Sequence, residues 1–173
     1  MTCVLRRARV EDADALPDIE RSAARLFAQD PDLAWLVDAA VISGPEHRQR
    51  IATCPVWVVE AADRCIVGFL SAAVTGGQLH IEELSVDREA QGQGLGRQLL
   101  QAAIEHARDQ RLLAVTLTTF RELPWNELFY RRSGFVTLDA QQIDPRLQQL
   151  LNEEAAHGLP RHRRCAMRLD LRP

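Results

Sequence analysis

The stretch Leu79-His-Ile-Glu-Glu-Leu-Ser-Val-Asp-Arg-Glu-Ala-Gln-Gly-Gln-Gly-Leu-Gly-Arg97 joins an apolar strand pattern to a glycine-rich turn, and the turn to a helix. Apolar residues stand at 79, 81, 84 and 86, so the alternation holds at first and then changes face between Ile81 and Leu84, which predicts a strand with a bulge. Glycines follow at 92, 94 and 96, after which Leu99, Leu100, Ala103, Ile104 and Ala107 recur at helical spacing. A helix therefore starts near Gly94 to Gly96. Its first N–H groups have no acceptor within the helix, they carry the positive end of the dipole, and glycines let a ligand approach that backbone closely. The junction is thus an anion site, best suited to phosphate. Two familiar phosphate loops do not fit: Gly-x-Gly-x-x-Gly would need glycine where Arg97 stands, and the Gly-Lys-Ser/Thr of the other is absent.

Outward from this junction, the pattern is that of alternating strands and helices. Val4 to Val10 reads as a first strand, and Glu11, Asp12 and Asp14 supply acidic helix-start chemistry for a helix carrying Leu16, Ile19, Ala23 and Phe27 as far as Gln29. Asp30-Pro31-Asp32 breaks that helix. The apolar but poorly periodic run from Asp32 to Pro45 predicts a short helix and loop, and Glu46 to Thr53 a further short helix. Pro55 to Glu60 and Cys65 to Val74 read as an antiparallel hairpin, and Gly76-Gly77 turns the chain into the strand at Leu79. After the helix from about Leu95 to Gln110, Leu112 to Thr118 forms the next strand, giving a right-handed strand–helix–strand crossover. Pro124 to Arg131 predicts a short helix, Val136 to Leu138 a strand, Asp144 to about residue 157 a helix, and Cys165 to Leu171 a last strand.

Composition fits one such domain over residues 1–173. The chain is 46% hydrophobic and 26% charged, ordinary for a globular protein with a real core. A net charge of −3 argues against nucleic acid as the main partner. Cys3, Cys54, Cys65 and Cys165 form no Cys-x-x-Cys pair or Cys/His cluster, so free thiols and no metal are expected. The N-terminus reaches charge within a few residues, and the longest nearly apolar run, Cys65 to Val74, is too short to span a bilayer. A cytoplasmic protein that does not enter the membrane is expected.

The string from Ile81 through Leu100, with its acidic pair, Gln91-x-x-Gly94-x-Gly96 turn and helix, resembles the acetyl-CoA-binding signature of the GNAT family of N-acetyltransferases. A second fragment, Leu128-Phe-Tyr-Arg-Arg-Ser-Gly-Phe135, resembles the Phe-Tyr-x-x-x-Gly-Phe signature found late in the same family. The resemblance follows the element order from about Val4 to Leu171, while its specific motifs cover 79 to 104 and 126 to 135. It implies an α/β (α+β) fold: a single domain with a mixed, mostly antiparallel central sheet of about seven strands and helices on both faces. It also implies transfer of an acetyl group from acetyl-CoA to a primary amine by direct attack within a ternary complex.

On that resemblance, the backbone of Gly92, Gln93, Gly94, Leu95, Gly96 and Arg97 binds the pyrophosphate, the main chain of Leu84 and Val86 pairs with the pantetheine arm like an added strand, and Ser85 and Gln91 belong to the same cofactor site. Because an alkyl amine is mostly protonated at neutral pH, a base is needed near the attack site. Glu82 matches the position of such a base. His80 shares its face in a regular strand and offers a water relay. Tyr130, the only tyrosine, matches the general acid that protonates the leaving thiolate. The commoner pattern has asparagine seven residues before this tyrosine, where Leu123 stands; Asn126, four before it, is the out-of-register candidate for a coenzyme A contact. Trp35, Glu83, Phe120 and Trp125 are candidates for the acceptor pocket, with Glu83 turned toward solvent or an acceptor ammonium. A small-molecule amine is the expected acceptor. The alternatives are a protein lysine or N-terminal acetyltransferase, and a non-catalytic acyl-CoA sensor that would have no need of Glu82, His80 and Tyr130. An exposed sheet edge leaves room for a homodimer, by analogy of fold alone.

Overall fold

The computed structural model describes residues 3–171. Its elements run β1 (Val4–Arg7), α1 (Leu16–Ala24), α2 (Gly44–Thr53), β2 (Val56–Glu60), β3 (Ile66–Thr75), β4 (Gln78–Val86), α3 (Leu95–Asp109), β5 (Ala114–Phe120), α4 (Glu127–Arg131), β6 (Val136–Thr137), α5 (Pro145–Ala156) and β7 (Arg164–Asp170). The strands form a seven-stranded sheet in the order β1-β2-β3-β4-β5-β7-β6. The pairs β1/β2, β2/β3, β5/β7 and β6/β7 are antiparallel, whereas β4/β5 is parallel, as the intervening α3 requires. This is the mixed, mostly antiparallel seven-stranded sheet expected from the sequence. By contacts the chain falls into two compact units, Met1–Ala73 with Glu83–Glu105, and Val74–Glu82 with His106–Pro173.

In the first unit, β2 is Val-Trp-Val-Val-Glu with all four apolar residues buried, and it pairs Val58 opposite Phe69 of β3. Leu16 and Ile19 of α1 pack on Val58 and Phe69, with Ala8, Ile51 and Ile66 at the margin. Each such fully buried aliphatic side chain contributes about 1.5–3 kcal/mol. The predicted first strand stops three residues early because a 3-10 turn over Val10–Ala15 takes the chain away, and the Arg9 N–H donates to Asp12 Oδ2 at 2.6 Å. Arg6 fastens that turn to the sheet: its guanidinium reaches Asp12 at 2.8 Å and Glu60 at 2.6 Å. Hydrogen bonding from Arg6 holds the Asp12 carboxyl below its ordinary range. α2 opens on a capping box, with the Ser43 N–H donating to Glu46 Oε2 at 2.9 Å and Pro45 in the first turn.

The apolar stripe of α3 is buried as the spacing required: within the first unit Leu95, Leu99, Leu100, Ala103 and Ile104 are each at most 5% exposed. Gly68 of β3 makes room for this arrangement. A Cβ there would lie 3.3 Å from the Ser85 carbonyl oxygen and 3.5 Å from Leu99 Cδ1.

In the second unit, Leu79, His80 and Ile81 lie opposite Val115, Thr116 and Leu117 of β5. β5 begins at Ala114 rather than at Leu112, because Arg111 at φ 56° closes the helix and the Leu112 N–H still bonds back to the Ala107 carbonyl at 2.9 Å. α5 is capped by Asp144, whose Oδ1 accepts from the Leu147 N–H at 2.8 Å, and it buries Leu147 and Leu151 against Leu138 and Ala166.

Candidate active site

The glycine junction lies in the first unit. β4 ends at Val86, the Asp87 N–H bonds to the Val67 carbonyl at 2.9 Å, and the Gln91 amide donates to the Val86 carbonyl at 3.0 Å, tying the turn to the strand it leaves. The Arg88 N–H bonds to Ser22 Oγ of α1 at 3.1 Å. Gly92 and Gly94 then adopt φ of 76° and 79°, in the left-handed region that side chains avoid. A Cβ at either would meet no protein atom within 4 Å, so the backbone here faces open space. The first turn of α3 follows, with Gln98 N–H to Gly94 carbonyl at 3.1 Å as its opening helical bond. Open backbone at the start of a fifteen-residue helix fits a pyrophosphate well.

Three side chains from α1, α2 and β4 make a polar cluster in the same unit. His47 is 1% exposed, its ring edge set on Phe69 at 5.3 Å. Its Nε2 lies 3.5 Å from Glu20 Oε2, and neither atom has a hydrogen bond in the chain. Glu83 accepts from the Ser85 hydroxyl at 2.6 Å. Burial and the neighbouring Glu20 push the Glu83 carboxyl up to about 7, against the Ser85 bond, Arg50 and His47. Glu83 is thus half-buried beside a second acid. Trp35, on a 3-10 turn over Ala34–Asp38, is 47% exposed. Glu20 and His47 carry no motif in the sequence; only the packing of two helices on the sheet reveals them.

The second unit holds His80, Glu82, Phe120, Trp125, Asn126 and Tyr130. Glu82 is exposed. His80 Nδ1 is 3.0 Å from Thr116 Oγ1, which also accepts from Arg146 at 3.1 Å, and Arg146 reaches Gln78 at 3.2 Å. The Thr116 hydroxyl, accepting from Arg146, can donate to His80 Nδ1 or accept from it according to the tautomer of the ring. Burial and the positive Arg146 bring the His80 imidazolium down to about 4, outweighing Glu154 and Asp144. The ring is therefore neutral at pH 7 and offers an N–H rather than a base.

Phe120 is buried beneath the Arg164 guanidinium, which stands 4.5 Å from its ring centre. Glu127 holds the following loop: it accepts from the Glu122 N–H at 2.8 Å and the Thr137 hydroxyl at 2.6 Å. Burial opposes its charge, yet these bonds with Arg131 and Arg121 keep its carboxyl below the ordinary value. Tyr130 is 8% exposed on α4, edge-on to Phe129 at 5.0 Å and Phe135 at 5.8 Å. Asn126 donates to Thr119 Oγ1 at 2.9 Å, and its buried Oδ1 accepts no hydrogen bond from the chain. That orphan acceptor fits an amide N–H, of which the pantetheine arm carries two.

Among the described residues no group of three or more His, Cys, Asp or Glu is arranged to hold a metal ion, and no helix is long and apolar enough to cross a membrane. Residues 52–137 match the family model of the acetyltransferase (GNAT) domain. A curated relative, glucosamine 6-phosphate N-acetyltransferase 1 of Oryza sativa subsp. japonica, is 36% identical over 62 residues, covering 36% of this chain. The chain spans 36% of that relative's length. The fold is similar to the PaiA N-acetyltransferase of Thermoplasma acidophilum in complex with coenzyme A (TM-score 0.71, 16% identity, 98% of this chain and 99% of that one). It is also similar to the ribosomal-protein-S18-alanine N-acetyltransferase of Escherichia coli (TM-score 0.69, 15% identity, 99% and 96%). Residues 52–137 thus carry the acetyltransferase (GNAT) domain, and the chain as a whole has the fold of solved N-acetyltransferases.

Proposed function

We propose that this protein is an acetyl-CoA-dependent N-acetyltransferase that transfers acetyl to a primary amine of a small molecule by direct attack. The observation that carries the reading is the open glycine turn: Gly92 and Gly94 at positive φ, with nothing within 4 Å of where their side chains would be, leading into α3. On this reading the backbone from Gly92 to Arg97 holds the pyrophosphate, and the main chain of Leu84 and Val86 aligns the pantetheine. Acetyl-CoA supplies an activated acetyl thioester. Glu82 takes the proton that the amine must lose, and the neutral His80 ring orients the water between them. Tyr130 gives its hydroxyl proton to the thiolate of coenzyme A as it leaves.

The test is coenzyme A release from acetyl-CoA, scanned over polyamines, arylalkylamines, amino acids, amino sugars, aminoglycosides and short peptides, with acetyl-CoA binding followed by calorimetry. One strongly accelerating small amine supports the reading. Acceleration by peptides alone would overturn the small-molecule acceptor, and tight acetyl-CoA binding with no acceleration by any amine would overturn the enzyme in favour of a sensor.

A further inference from the structure

Glu127 is a buried acid, 5% exposed, three residues ahead of Tyr130 on a helix of only five residues. One turn of helix does not hold itself in water, so whatever fixes its ends decides where its side chains lie. Asn126 does not cap α4; its side chain donates to Thr119 Oγ1 of β5 instead. At the closing end the Tyr130 carbonyl accepts from the Ser133 N–H at 2.9 Å and the Phe135 N–H at 3.2 Å, around Gly134 at φ 92°. The opening end is held by the Glu127 carboxylate. Its Oε2 accepts from the Glu122 N–H at 2.8 Å and its Oε1 from the Thr137 hydroxyl at 2.6 Å, with Arg131 Nη2 3.3 Å from the same Oε1. Glu122 itself stands at φ 63°, a strained backbone for a residue with a side chain. One carboxylate thus ties α4 back to the loop after β5 and across to β6. A leucine would fill the place without the cost of burying a charge, but it could accept neither bond. Residues three apart are neighbours on a helix surface, so the side of α4 that Glu127 holds is also the side of Tyr130.

We propose that Glu127 is a positioning residue: by binding the Glu122 N–H and the Thr137 hydroxyl together it fixes the orientation of α4, and through it the place of the Tyr130 hydroxyl. This rests on the acetyltransferase reading, in which Tyr130 gives its proton to the leaving thiolate. Glu127 has both oxygens engaged within the protein, so it is neither acid nor base in the reaction. The edge-on contact of Tyr130 with Phe129 at 5.0 Å cannot do the same work, because Phe129 rides on α4 and moves with it; the Glu127 bonds reach outside the helix. Proton transfer needs donor and acceptor within hydrogen-bond reach, and a displacement of about 1 Å costs up to about a hundredfold in rate.

Tyr130 is the only tyrosine, so the full chain labelled with carbon-13 at the phenolic carbon of tyrosine gives one assignable NMR signal. Glu127→Leu is expected to shift or split that signal. Glu127→Gln leaves it single and in place, since the amide oxygen accepts the Glu122 N–H and the Thr137 hydroxyl turns to accept from the amide nitrogen. In turnover with the best amine, Glu127→Leu lowers kcat about thirtyfold and leaves KM and acetyl-CoA affinity within about twofold, and Glu127→Gln recovers kcat to within about threefold of the parent. In a Tyr130→Phe background Glu127→Leu adds no loss beyond about twofold, because the hydroxyl it places is gone. Should Glu127→Leu fail to fold, Thr137→Val, which removes one of the two bonds, is read in the same way with smaller effects. A signal unmoved by the substitution, or the full loss of kcat repeated in the Tyr130→Phe background, overturns the assignment. The acetyltransferase reading fails separately: turnover undiminished in Tyr130→Phe, or absent with every amine, removes it, and the NMR signal then still decides whether Glu127 fixes the ring.

Discussion

His80 gives its Nδ1 to the Thr116 hydroxyl at 3.0 Å, and Arg146 joins that hydroxyl to Gln78, whereas His47, buried more deeply, faces Glu20 at 3.5 Å with no hydrogen bond from either atom. Nearby in the second unit, Arg164 grips Glu154 through two bonds of 2.8 Å, and both contact Thr118. These two networks of the second unit hold α5 on the sheet. In the first unit Glu20 Oε2, His47 Nε2 and Ser71 Oγ are buried with no hydrogen bond from the chain, and the glycine turn is open. A satisfied buried network rigidifies; an unsatisfied one is an expense that a bound group can offset. Substitutions in the glycine turn should therefore act on binding, and those in the His80 and Arg164 networks on stability.

The largest expected contrast is at the turn. Gly94→Asp places a side chain at φ 79° and a negative charge where phosphate is to lie, and acetyl-CoA affinity should fall at least about a hundredfold by calorimetry. The same substitution should lower stability by only about 1 kcal/mol, because nothing in the protein occupies the space. Unchanged affinity would remove the turn from the site.

Tyr130→Phe keeps the ring between Phe129 and Phe135 and deletes only the hydroxyl. Turnover should fall about a hundredfold with acetyl-CoA affinity nearly intact. Undiminished turnover would take Tyr130 out of the mechanism.

Arg164→Met tests the opposite side of the comparison. It leaves the Glu154 carboxylate without its cation, and denaturant unfolding should register a loss of about 2–3 kcal/mol. The acetyl-CoA affinity of the molecules that remain folded should not change.

The smallest effect is in the pH dependence of stability, where the two regions pull in opposite directions. Glu83 has a folded value raised to about 7, so its proton stabilises the fold below the ordinary carboxylate range, and that stability is lost as pH rises from about 4.5 to 7. His80 has a folded value lowered to about 4, so its contribution is present above about 6.5 and is lost as pH falls from there to 4. Glu83→Gln, which still accepts from Ser85, should be more stable than the parent at pH 8, relative to pH 4.5, by roughly 1–3 kcal/mol. A stability curve unaltered by that substitution would mean that Glu83 is not strained by its neighbours.

Much of the fold was readable in order from the chain. The Leu99, Leu100, Ala103, Ile104 and Ala107 stripe marked α3 because helix periodicity is local, and Val56 to Glu60 marked a buried strand for the same reason. Boundaries moved where side chains from elsewhere intervened. β1 ended at Arg7 because Asp12 takes the Arg9 N–H, and α1 tightened into a 3-10 turn over Arg25–Gln29 ahead of Pro31. In the site, the glycine turn could be located from sequence because its anion chemistry belongs to consecutive backbone groups. His80 was legible as a candidate, but its tautomer and its lowered basicity depend on Thr116 and Arg146, residues 36 and 66 positions further on.

What the sequence determined by itself was the succession of elements, the glycine junction and the family motif it carries, all properties carried by residues within a few turns of one another. Tertiary structure alone decided which acids share a burial site. Glu20, His47 and Glu83 come from two helices and a strand, and proton affinity and hydrogen-bond satisfaction depend on distances through space that no local pattern encodes.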